Sequence, residues 1–80
     1  MNLNITYHAR QRMTERNITE HSVERTISSG LVKSNKLNTK LFARKLEHND
    51  STHYVAATFK RGTWVVKSTY YRGEADNGVC

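Results

Sequence analysis

Proline is absent from the 80 residues, and acidic side chains are few: seven Asp and Glu against thirteen Lys and Arg. Cysteine occurs once, at the final position, Cys80, so no disulfide can form within the chain and folding needs no oxidising compartment. No apolar run approaches the roughly 18 residues of a membrane-crossing helix. No basic amphipathic stretch carries the aromatic or leucine-rich face of an interfacial anchor, so no membrane contact is expected. Met1 to Thr6 is too short and too polar for a signal peptide, which points to the cytoplasm. His21, His48, His53 and Cys80 are scattered without paired metal-ligand spacing, so no metal site is expected. A phosphate-cradling glycine-rich loop is also missing, and no cofactor is implied.

What is present is enough to fold. The chain is 36% hydrophobic and 25% charged, suited to one small domain with a modest core. Its formal charge of +6 favours an anionic partner, with nucleic acid foremost. The hydrophobic period changes near Gly30, from helical to alternating, which is the pattern of an α+β domain.

Two helices are predicted before that point. The first runs from about Tyr7 to Arg16, capped by Thr6, with Ala9 and Met13 on one face. The second follows Thr19 as N-cap, with Val23 and Ile27 as its buried stripe. Gly30 is expected to end it by accepting a left-handed conformation. Four strands are predicted after it, forming an antiparallel sheet: Leu31 to Lys36, about Leu41 to Glu47, about His53 to Lys60, and Thr63 to Arg72. His48 to Thr52 reads as a turn, and Glu74 to Cys80 as a frayed tail. Strict alternation in the last strand places Trp64, Val66, Ser68 and Tyr70 on one face, and Val65, Lys67, Thr69 and Tyr71 on the other.

Two sets of residues carry candidate chemistry. His8 and Arg12 lie four apart on the first helix, and Arg16 extends the row. Histidine can exchange a proton and arginine can hold a phosphate through parallel N–H donors, a pairing suited to phosphodiester cleavage. An exposed polar helix face has the same spacing. On the last strand, Thr69 and Tyr71 could orient a phosphate, Lys67 and Arg72, together with Arg16 of the first helix, could hold flanking ones, and Tyr70 could stack on an unpaired base. An ordinary solvated sheet face uses these residue types too.

The segment His8-Ala9-x-x-Arg12-Met13-x-x-Arg16-x-Ile18-Thr19 resembles the opening of a family of small bacterial and phage domains of unassigned function. Asn17 stands where that family has glycine. The family in turn resembles the RelE-like, BrnT-like and colicin-type ribonuclease toxins. The resemblance implies a helix-then-antiparallel-sheet fold and metal-independent RNA cleavage, with His8 and Arg12 at a site between the first helix and the sheet. It also implies a cognate antitoxin or immunity protein. Two other readings remain: a phage- or mobile-element-encoded module that binds RNA or a host protein without catalysis, and a DNA-binding regulator built on the two helices.

Overall fold

The computed structural model describes residues 1–47 and 51–73. Its elements run β1 (Leu3–Ile5), α1 (Tyr7–Arg16), α2 (Glu20–Ser29), β2 (Leu31–Lys36), β3 (Thr39–Lys45), β4 (Ser51–Lys60) and β5 (Thr63–Gly73). The expected frayed tail and most of the expected turn, His48 to Asp50, lie outside the described residues.

Both helices start at threonine caps. The Thr6 hydroxyl accepts from the Ala9 N–H at 3.2 Å, and the Thr19 hydroxyl accepts from the Ser22 N–H at 3.1 Å. Asn17 ends α1 in the left-handed region (φ 56°). Its N–H bonds the Met13 carbonyl, and Ile18 enters the core. Gly30 corrects an expectation. It is extended (φ −77°, ψ 166°), so space rather than backbone handedness demands glycine. A Cβ there would clash with the Thr26 carbonyl oxygen and sit 2.8 Å from that of Ala43.

The sheet is not the expected four-stranded antiparallel one. It has five strands in the order β1-β5-β4-β3-β2, and β1 lies parallel to β5, pairing Leu3 with Trp64 and Ile5 with Val66. A three-residue strand shows too little alternation to be legible, yet its edge position needs only one bonded neighbour. The Thr6 N–H extends the pairing by donating to the Val66 carbonyl at 3.1 Å. Strands β2, β3, β4 and β5 pair antiparallel in turn.

The phase of β5 is a second correction. Ala56 pairs with Ser68 but Ala57 pairs with Val66, so Lys67 is an extra, unpaired residue. Such a bulge resets which side chains share a face. Thr69 and Tyr71 therefore join Trp64 and Val66 on the helix-covered face, while Lys67, Ser68 and Tyr70 lie on the other. Both helices cover one face only. Ala9, Met13, Ile18, Val23 and Ile27 pack there on Ile5, Phe42, Val55, Ala57 and Val66. Trp64 meets Phe42 edge-on, ring centres 5.3 Å apart.

Candidate functional site

Three neighbouring rows of α2 do different work, because residues four apart stack along a helix. Val23 and Ile27 enter the core. Ser22 and Thr26 face the sheet beside them. His21 and Arg25 form the outer row and are exposed.

The middle row meets His53, which alternation carries inward with Val55 and Ala57 on β4. His53 is fully buried, and all of its ring nitrogens are engaged. Nδ1 lies 2.9 Å from both the Ser22 and Thr26 hydroxyls, and Nε2 lies 2.7 Å from the Thr69 hydroxyl. Proton bookkeeping orders this network. Thr69 gives its hydroxyl proton to the Tyr54 carbonyl at 3.0 Å, so it must accept from His53 Nε2–H. Nδ1 then carries the lone pair. Thr26 donates to the Ser22 carbonyl at 2.9 Å, which leaves the Ser22 hydroxyl to donate to Nδ1. The imidazole is thus neutral. Its pKa falls from 6.5 to about 4, chiefly through burial and secondarily through the nearby Arg44 cation.

Arg44 comes from β3, in phase with Phe42. Its Nε donates to Thr26 at 3.2 Å and one terminal nitrogen donates to Ser22 at 2.9 Å. Two hydroxyls therefore fix a half-buried guanidinium without neutralising it: Arg44 forms no ion pair among the described residues. Its remaining N–H donors border a cleft of about 320 Å³. The outer-row residues His21 and Arg25 line this cleft, with Leu46 and Glu47 beyond β3 and Tyr71 from β5. Tyr71 stands edge-on to His53, ring centres 4.9 Å apart. The arrangement can seat an anion against a fixed guanidinium, with an imidazole and a phenol at its rim.

The expected site residues are divided among several places. Tyr71 lines the cleft. Thr69 lies under it, fully buried with its hydroxyl committed to His53 and Tyr54, so it is a structural residue. His8, Arg12 and Arg16 are exposed on α1 and do not line the cleft. The His8 side chain has no hydrogen bond or ion pair among the described residues, and Arg12 pairs with Glu15 at 3.4 Å. Lys67, Tyr70 and Arg72 are on the face away from the helices. Lys67 donates to Thr39 at 3.3 Å, and Tyr70 stacks on Tyr54.

Sequence reasoning missed His53, Arg44, Ser22, Thr26, His21 and Arg25 as a group. The available signals were the phase of His53 with Val55 and of Arg44 with Phe42, and the Ser22–Thr26 spacing beside the Val23–Ile27 stripe. No group of His, Cys, Asp or Glu side chains able to hold a metal ion occurs among the described residues, and no helix there is long and apolar enough to cross a membrane.

No curated protein and no solved structure matches the chain. One family model does, over residues 5–71, from the end of β1 to the last cleft residue, Tyr71. The chain thus belongs to the family described as a domain of unknown function, DUF4258.

Proposed function

We propose that this domain is a metal-independent ribonuclease of the toxin type. The observation that carries the reading is Arg44, held by Ser22 and Thr26 with no ion pair among the described residues, at a cleft shared with His21 and Tyr71. A phosphodiester is the anion best suited to it: Arg44 offers a planar fork of donors, Arg25 adds a second cation, and the chain as a whole is +6. In this reading His21 accepts the proton of a ribose 2′-hydroxyl, whose oxygen attacks the adjacent phosphorus. The bond to the 5′-oxygen breaks, and Tyr71 supplies the proton that oxygen takes up. Arg44 and Arg25 offset the charge growing on the phosphoryl oxygens. The products are a 2′,3′-cyclic phosphate and a 5′-hydroxyl. His53 takes no part as acid or base, being buried and neutral; its role is to fix the hydroxyls that hold Arg44. A cognate antitoxin or immunity protein, and action in a bacterial cytoplasm, go with this proposal.

Incubating the protein with RNA in EDTA tests it. Cleavage leaving cyclic phosphate ends, lost in Arg44→Gln and His21→Ala, supports it; intact RNA contradicts it.

A second reading, a non-catalytic module that binds a host protein, is favoured by a different observation. Among the described residues strand β2 is the edge of the sheet, with Leu31 and Val32 exposed, and Leu37 in the next turn is 96% exposed. Such an edge can accept a strand from a partner. Stable one-to-one capture of a single protein through this edge by a chain that leaves RNA intact would favour it.

A further inference from the structure

No helix covers the sheet face away from α1 and α2 among the described residues, and the charged side chains described there are cations. Register and alternation place Lys36, Lys45, Lys67 and Arg72 there and, among the described residues, no carboxylate. At its centre Tyr54 and Tyr70 are cross-strand partners, stacked with ring centres 5.1 Å apart and planes 16° from parallel. Both are only half-buried.

The flanks of this pair are also open. Beyond Tyr54 the next cross-strand residue is Ala43, which offers only a methyl group. Beyond Tyr70 no strand lies among the described residues, because β1 pairs only with Trp64 to Val66. Among the described residues, neither ring therefore has a large side chain directly opposite it on its outer side. The bulge at Lys67 adds an ammonium to the same face, held near Thr39. An unpaired base presents a flat π-face and its backbone presents phosphates. Parallel tyrosines rimmed by cations match both.

We propose that this open face is a platform for single-stranded RNA, with bases stacking on Tyr54 and Tyr70 and phosphates meeting the lysines and Arg72. This rests on the reading of RNA as the ligand, and it gives the substrate class: a single strand, engaged by the open face as well as by the cleft. The Tyr54–Tyr70 row is adjacent to the His53–Tyr71 row, so both regions lie at the same end of the sheet. A strand could therefore pass around that end from one to the other. A duplex, whose bases are already stacked, would gain only the charge contacts.

The test measures binding of labelled oligouridine by fluorescence anisotropy, beside cleavage of a dinucleoside monophosphate too short to reach the platform. Tyr54→Leu and Tyr70→Leu should each weaken oligouridine binding about tenfold, whereas Tyr54→Phe and Tyr70→Phe should retain it. Cleavage of the dinucleotide should be unchanged in all four. Arg44→Gln should do the reverse to the dinucleotide while retaining tyrosine-dependent oligouridine binding. In the unmodified protein, the ring-proton NMR signals of both tyrosines should shift on titration with oligouridine, a readout that needs no variant to fold. Failure of the unmodified protein to bind oligouridine, or binding indifferent to both leucine variants with unmoved ring signals, overturns the platform. A protein partner seated on this face in place of RNA overturns it too. Tyrosine-dependent binding without any cleavage retains the platform and removes only the ribonuclease reading.

Discussion

His53 Nε2 lies 2.7 Å from the Thr69 hydroxyl, and both side chains are fully buried. Thr69 has already given its proton to the Tyr54 carbonyl, so this bond has one direction, from imidazole to threonine. Removing the acceptor leaves a buried N–H without a partner. Thr69→Val should therefore cost about 1–3 kcal/mol of stability, and Thr69→Ser should retain most of it. Urea unfolding of the two variants checks this. A stable Thr69→Val variant would show that the network does not hold the fold.

The same histidine makes stability depend on pH. Its folded pKa is about 4 against 6.5 for the ordinary side chain, so between those values the unfolded chain binds more protons. Stability from this group is fully present above about pH 6.5 and is lost as pH falls toward 4, by roughly 3 kcal/mol across the window. Urea midpoints measured across that range should drop steeply on acidification. His53→Asn should flatten the profile; an unchanged slope would mean that His53 does not remain neutral in the folded protein.

Gly30 joins α2 to β2 where two carbonyl oxygens crowd the missing side chain. Gly30→Ala should destabilise the domain by about 2 kcal/mol, as overpacking does, and lower the thermal midpoint. Since φ there is one that alanine adopts freely, a neutral result would mean that the α2–β3 junction yields easily.

Arg44 separates charge from geometry. Arg44→Gln should weaken binding of a non-cleavable dinucleoside monophosphate by about tenfold to a hundredfold, the range of a hydrogen bond to a charged group, and should make that binding less sensitive to salt. Arg44→Lys retains the charge but cannot reach both hydroxyls and a phosphate with one planar fork, so it should rescue only partly. Full rescue by lysine would point to a general electrostatic role. Anisotropy titrations over a salt series distinguish these outcomes.

Much of the local structure was legible because it rests on local chemistry. Thr6 and Thr19 are hydroxyl caps, and Asn17 tolerates the left-handed turn. What was not legible depends on pairing. Three residues of β1 carry no period and gain their place from β5 alone. Lys67 is one residue too many for its partner strand, and nothing local marks it as a bulge; that single residue moved Thr69 and Tyr71 to the opposite face from the one alternation gave. The site suffered for a related reason. His8 and Arg12 stand out on a helix wheel because they are exposed, whereas His53 looks isolated in sequence until the sheet brings it to Ser22, Thr26 and Arg44.

In the proposed ribonuclease, the cleft bordered by Arg44 cleaves RNA with His21 at its rim. The most direct measurement is end-group analysis of RNA incubated in EDTA with the unmodified protein, His21→Ala and His8→Ala. The expected result is 2′,3′-cyclic phosphate ends from the unmodified protein and from His8→Ala, and none from His21→Ala. Cleavage lost in His8→Ala but retained in His21→Ala would move the chemistry to α1, and RNA left intact by the unmodified protein would contradict the claim altogether.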